Sequence, residues 1–278
     1  MNLATIANKA SPFPAAGGSG TFYIRCVAAG KAQIAHKFPE TSILWKFLEI
    51  LWVQCPPMQT LTQEIIDHGL TNRVLFDRQL ARLLHGTPQR RHHLVNRAMK
   101  AGELVRLQRG AYVLSNRYRT QTLHPFALAQ AFVPGSYISF ETALAYHGWI
   151  PEAVRVTASV TPGRKSYAYE HTVFGDFSFH PLAIAPGYFL ELVTRQQQQQ
   201  QTMLVAEPLR ALMDLVCLRK VEWQGMDWLT EGLRIELETL RSITNADIQT
   251  LEMVYTQKRV KAFLKSLAKA IKETRGND

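Results

Sequence analysis

The chain has 278 residues, 46% of them hydrophobic, and carries 32 lysines and arginines against 22 acids, a formal net charge of +10. This composition excludes a wholly disordered, collagen-like or disulfide-scaffold protein and supplies apolar residues enough for a core. The basic excess points to a polyanionic partner, nucleic acid or an anionic membrane surface.

Residues 1–57 differ in texture from the rest. Ser11-Pro12-Phe13-Pro14 and Gly17-Gly18-Ser19-Gly20 are loop chemistry, and Cys55-Pro56-Pro57 closes the segment just before Met58. Two readings stand: a native extension with a short helix near 42–53, or a sequence preceding a true start at Met58.

Residues 58–119 are cleanly patterned. Leu61, Ile65 and Ile66 mark a first helix ending near Gly69. Leu75, Leu80, Leu83 and Leu84 mark a second, ended by His85-Gly86. Thr87 is a natural N-cap with Pro88 at the first helical position, so a third helix runs from Pro88 to Ala101 and stops at Gly102. Glu103–Leu107 and Ala111–Ser115 flank Gln108-Arg109-Gly110 and predict a β-hairpin. Three helices and a hairpin in this order are the parts of a winged helix-turn-helix.

Residues 120–220 predict a mixed α/β domain. Helices are expected over His124–Phe132, Phe140–His147 and Pro208–Leu218. Strands are expected at Tyr137-Ile138, Val154–Val160, Thr172–Phe174, Phe177–His180 and Phe189–Thr194, with Met203–Ala206 pairing back. Six glutamines, Gln196–Gln201, read as the solvated loop tip of a hairpin-like excursion rather than a site. Residues 221–278 read as a helical segment: Leu229, Leu233, Leu237 and Leu240 recur over three turns, and Val260, Phe263, Leu264, Leu267 and Ile271 do so later, opposite a lysine face. The fold class expected is α+β: an N-terminal winged helix-turn-helix, a mixed α/β domain and a helical C-terminal part.

The charge is localised. Eleven basic residues and only two acids, Asp77 and Glu103, lie between Arg73 and Arg119. On the third helix Leu94, Val95, Ala98 and Ala101 share one side, while Gln89, His93, Asn96 and Lys100 share the other, flanked by Arg90 and Arg97. Asn and Gln pair with adenine edges, and Arg and Lys with guanine, in the major groove of duplex DNA. Gln89, Arg90, His93, Asn96 and Arg97 are therefore the expected base-reading group, with Lys100 on phosphate. Arg106 and Arg109 of the hairpin suit the neighbouring minor groove or its phosphates.

No enzyme is expected. Gly135-Ser136 lacks the Asp-x-Asp that a nucleotidyltransferase needs for its metal ions, Gly30-Lys31 is no Walker loop, and His-Glu-x-x-His is absent. A metal-dependent nuclease using Glu170, Asp176 and His180 remains the enzyme alternative, and a ligand-sensing regulator the other. Ser139 suits the N-cap of the following helix, and Arg210 and Asp214 are spaced to pair on one helix. Cys26, Cys55 and Cys217 are too far apart for a zinc site and read as reduced thiols. No cofactor or metal is expected. Ile43–Val53 is too short to span a membrane and no basic-then-apolar leader opens the chain, so a cytoplasmic protein with no membrane partner is expected.

Three stretches resemble the AbiEi family of antitoxins: Glu103-Leu-Val-Arg-Leu-Gln-Arg-Gly-Ala-Tyr-Val113, Tyr137-Ile-Ser-Phe-Glu-Thr-Ala-Leu-Ala-Tyr-His-Gly148 and Ala206-Glu-Pro-Leu-Arg-Ala-Leu-Met-Asp214. The resemblance covers about residues 60–220. It implies a winged-helix autorepressor acting on double-stranded DNA at inverted repeats of its own promoter. It also implies the antitoxin of a type IV toxin–antitoxin system active in abortive infection against phage. The partner would be a nucleotidyltransferase-like toxin, countered without a stable complex.

Overall fold

The computed structural model describes residues 21–28, 31–39, 58–198 and 201–276. The chain divides into two compact units, Met1–Met58 and Gln59–Asp278. In the first, strands β1 (Thr21–Ala28) and β2 (Lys31–Pro39) pair antiparallel, with an irregularity between Arg25 and Val27. This hairpin was not anticipated; the helix expected over 42–53 lies outside the described residues.

The second unit combines helices with two sheets, an α+β organisation. It opens with α1 (Thr60–Asp67), β3 (Leu75–Phe76), α2 (Asp77–Leu83) and α3 (Pro88–Lys100), followed by β4 (Leu104–Gln108) and β5 (Ala111–Leu114). Leu75, expected on the second helix, sits instead on β3, which pairs with β5 through Leu75↔Tyr112 and Phe76↔Ala111. The resulting three-stranded sheet runs β3-β5-β4. Leu61, Ile65, Leu80, Leu94, Val95, Ala98, Leu104 and Leu114 enclose a small core between the helices and this sheet.

A larger core begins on the same hairpin, with Leu107, Ala111 and Val113, and continues to Ile271. It takes in helices α4 (Pro125–Phe132), α5 (Phe140–Tyr146) and α6 (Pro208–Arg219), and α7 (Leu237–Arg241), α8 (Asn245–Glu252) and α9 (Lys258–Gly276). The same core therefore spans both sides of residue 220. Its sheet contains β6 (Tyr137–Ile138), β7 (Val156–Thr161), β8 (Tyr167–His171), β9 (Gly175–Pro181), β10 (Val193–Gln198) and β11 (Gln201–Ala206), in the order β10-β11-β6-β7-β9-β8. Pairing is antiparallel except at β11–β6 and β7–β9.

Four local expectations need correction. Thr172–Phe174 is a turn, not a strand: Phe174 N donates to the His171 carbonyl, and Gly175 follows with φ +83°. The strand lies just before it, at β8. The Leu229–Leu240 periodicity does not form one helix. A single wide turn over Trp228–Gly232 closes with Leu233 N on the Trp228 carbonyl, and Arg234 then takes φ +53° and breaks the run before α7. Gln196–Gln198 and Gln201 lie on the two strands of a hairpin with Gln197 and Gln198 exposed, as expected, but Gln201 departs from the solvated reading. Gln201 is buried, accepting from His124 N at 2.8 Å and donating to the Thr122 carbonyl at 3.0 Å. The segment Phe189–Leu192 is turn, so β10 starts only at Val193. Among the described residues no helix is long and apolar enough to cross a membrane.

Candidate nucleic-acid interface

Helix α3 is built as its sequence dictates. Thr87 Oγ1 accepts from Arg90 N at 3.3 Å, Pro88 occupies the first turn, and Gly102 leaves the helix at φ +65°. The first turn needs such a cap because its backbone N–H groups have no partner inside the helix. Leu94, Val95 and Ala98 are buried against the small core, which turns the opposite stripe outward. Gln89, Arg90, His93, Arg97 and Lys100 are exposed, and Asn96 is half-buried.

Two members of this stripe have partners within the chain. Arg90 Nη1 donates to the His85 carbonyl at 3.1 Å, so its guanidinium braces the loop that precedes the helix. Arg91 does the same to the Gly86 carbonyl at 3.0 Å. The Asn96 amide lies 3.1 Å from His92 Nδ1, a contact along the helix that sequence reasoning missed although the i, i+4 spacing was visible. Gln89, His93, Arg97 and Lys100 present their polar ends to solvent.

Arg106 stands exposed on β4 opposite Tyr112, and Arg109 is exposed at the hairpin turn. Gly110 has φ +79°, and a Cβ there would meet Asp77 Oδ2 at 2.8 Å, so the turn needs glycine twice over. Tyr112 has its hydroxyl pKa raised, by burial first and then by the Asp77 carboxylate, while Arg106 opposes the shift. Helix and hairpin share the small core, which fixes the stripe and the two arginines on one scaffold.

The two acids of this region differ in setting. Glu103 is buried, and both its carboxylate oxygens accept from Gln59 N, at 3.0 and 3.3 Å. Asp77 lies at the hairpin turn. Among the described residues none of the eleven bases between Arg73 and Arg119 is in an ion pair. With the exposed Asp77 as its one accessible acid among the described residues 73–119, the surface is a dense positive field, suited to attracting polyanions.

The hairpin is also anchored from behind, which the sequence did not reveal. Gln108 Nε2 donates to the carbonyls of Ala131 and Phe132 at the end of α4, at 3.2 and 3.1 Å. His171 Nε2 donates to the Arg106 carbonyl at 3.3 Å while its Nδ1 accepts from Val173 N at 3.2 Å. Arg119 lies over the Phe174 ring at 5.8 Å.

A second constellation is entirely internal. Arg210 and Asp214 are both 0% exposed and bond at 3.1 Å from Nε to Oδ1. Asp214 also accepts from Tyr137 and Ser139 on Oδ2, at 3.0 and 2.7 Å, and from Tyr255 on Oδ1 at 2.7 Å. Arg210 spends its remaining donors on Tyr137 Oη and the carbonyls of Tyr188, Phe189 and Glu191. Burial disfavours the guanidinium charge, but Asp214 and the two tyrosines outweigh it and the pKa rises. Tyr137 and Tyr255 are pushed well above the usual phenol range, by burial and then by Asp214. Ser139 thus departs from its expected role: it sits at the N-cap of α5 without capping it and serves Asp214 instead. His147 ends α5 and donates from Nε2 to the Ala206 carbonyl at 2.9 Å.

Compared with known proteins, the chain matches no family model and no curated protein.

Proposed function

We propose that this protein is a cytoplasmic DNA-binding autorepressor and the antitoxin of a type IV toxin–antitoxin system. In this reading residues 58–119 are a winged helix-turn-helix, with α3 as recognition helix and β4–β5 as wing. The observation that carries it is the exposed α3 stripe beside Arg106 and Arg109, in a field of bases with no ion-pair partner among the described residues. Gln89, His93 and Arg97 face outward from the helix that would enter the major groove. Asn96 reaches a base by exchanging its His92 contact, and Arg90, braced on His85, presents the rest of its guanidinium at the helix start. Lys100, Arg106 and Arg109 take phosphate or the minor groove.

The antitoxin half is supported by where two of the family-like stretches meet. Tyr137 and Ser139 of one and Arg210 and Asp214 of the other form a single buried network, and His147 bonds back to Ala206. Co-expression with the nucleotidyltransferase-like gene adjoining its own tests this half, with restored growth as the expected result.

Fluorescence anisotropy tests the DNA half, with duplex from upstream of the gene and a scrambled duplex at two salt concentrations. Tight, salt-sensitive preference for the upstream DNA is expected, because each neutralised phosphate releases counter-ions. Arg97→Ala should cost about 1–3 kcal/mol on the specific site and little on scrambled DNA, whereas Arg109→Ala should weaken both and lower the salt slope by about 1. Equal weak binding of both duplexes by the parent protein overturns the autorepressor reading.

A further inference from the structure

A cavity of about 500 Å³ opens on the larger core, far in sequence from α3 and the β4–β5 hairpin. Its volume falls in the range of small-molecule sites, which are mostly apolar with a few placed polar groups. Val154 and Val156, 36% and 39% exposed, give the cavity its accessible apolar wall, with Leu233 and the fully buried Phe140 behind it. His180 stands edge-on to the Phe140 ring, with centroids 5.7 Å apart and planes at 85°.

Charges at the rim are paired with one exception. Glu141 pairs with Arg219, and Glu152 receives both Nε and Nη2 of Arg234 on one oxygen. Arg155 also lines the cavity, is exposed, and has no ion-pair partner among the described residues. The rim therefore carries one unmatched positive charge. Phe140, where α5 begins, has φ +57°. Lys220 and Arg234, at φ +56° and +53°, close α6 and the Trp228–Gly232 turn with the left-handed residue that commonly ends a helix.

We propose that this cavity binds a small apolar monocarboxylate, with its apolar body against Val154 and Val156 and the carboxylate on Arg155. Arg155 supplies the charge for one anion, and its planar fork matches a carboxylate in two-point contact. Burial lowers the His180 pKa, against the pull of Glu141, so the imidazole offers a neutral N–H to the same ligand near neutral pH. The two rim ion pairs tie α5 to the end of α6 and the loop before β7 to the loop before α7, so a bound ligand would sit among four separate segments. This inference is independent of any role in DNA binding.

The test is isothermal titration of the full chain with 1-naphthoate and with neutral 1-naphthamide. Saturable binding of naphthoate is expected, with naphthamide at least about tenfold weaker, the loss of roughly one charge-assisted contact. Arg155→Ala should bring naphthoate down to the naphthamide level, and Arg155→Lys should keep most of the binding. Val154→Glu should abolish it by placing a negative charge at the mouth. Both positions are exposed, so the ligand-free melting temperature should stay at the parent value and verify folding. Equal binding of acid and amide, no binding of naphthoate at millimolar concentration, or parent-like affinity in Arg155→Ala would each overturn the proposal.

Discussion

Asp214 is the single most committed residue in the chain. Four donors converge on its carboxylate, and the guanidinium facing it is spent on three backbone carbonyls and a tyrosine besides. Breaking a buried pair from one side leaves the other charge stranded, at a cost of about 3–5 kcal/mol. Asp214→Asn should therefore lower stability by that much in denaturant unfolding, more than Ser139→Ala, which removes one donor. The i, i+4 spacing of Arg210 and Asp214 was legible in the sequence. Tyr137, Ser139 and Tyr255 as their partners were not, because those bonds span 41 to 77 residues. His180 gives a second prediction at this scale. Its folded-state pKa lies below 6.5 because it is half-buried, so the unfolded chain takes up its proton first as pH falls. Stability should then decline as pH drops below about 6.5, and His180→Asn should flatten that part of the curve. An unchanged pH profile would show that the imidazole stays exposed to solvent in the folded state.

At the scale of elements, local signals decided where the chain obeyed them. Thr87, Pro88 and Gly102 bound α3 in sequence and in structure alike, and its apolar triplet faces the core. Where the signals failed, a turn had intervened. The leucines 229, 233, 237 and 240 keep helical spacing, but Arg234 at positive φ divides them, and no residue type there announces it. β8 escaped notice because its residues, Tyr167 to His171, are mostly exposed at a sheet edge and show no apolar alternation. The β4–β5 turn is the element most sensitive to one atom. Gly110→Ala adds a methyl group facing Asp77 and asks alanine to hold φ +79°. The expected cost is about 1–3 kcal/mol, measurable as a loss of melting temperature. Adding Asp77→Ala should recover the steric part and leave the backbone part; full recovery would mean that the angle itself costs nothing.

At the scale of the whole second unit, the hairpin joins two cores. Leu104 and Leu114 face the small core, while Leu107, Ala111 and Val113 face the large one. Gln108 and His171 then lock its outer strand to α4 and to the turn after β8. The positive surface is thus held on a stiff mount rather than on a free arm. Gln108→Ala should speed amide hydrogen exchange along β4 and β5, by the loss of bonds worth about 1 kcal/mol each, while α9 exchanges as before. Unchanged protection would mean that the apolar face alone holds the hairpin. The basic stretch itself was legible from Arg73 to Arg119; its mount was not, since Gln108 looks like any polar turn residue until α4 is folded beside it. The glutamine run carries a different consequence. Gln196–Gln198 lie on one strand and Gln201 on its partner, with Gln198 opposite Gln201 and the Gln201 amide clamped on Thr122 and His124. Strand faces alternate with every residue, so one glutamine gained or lost within either strand would turn its remaining side chains to the opposite face, while a pair would preserve their sense. A repeat that looks indifferent to its own length is, in this hairpin, a matter of odd and even.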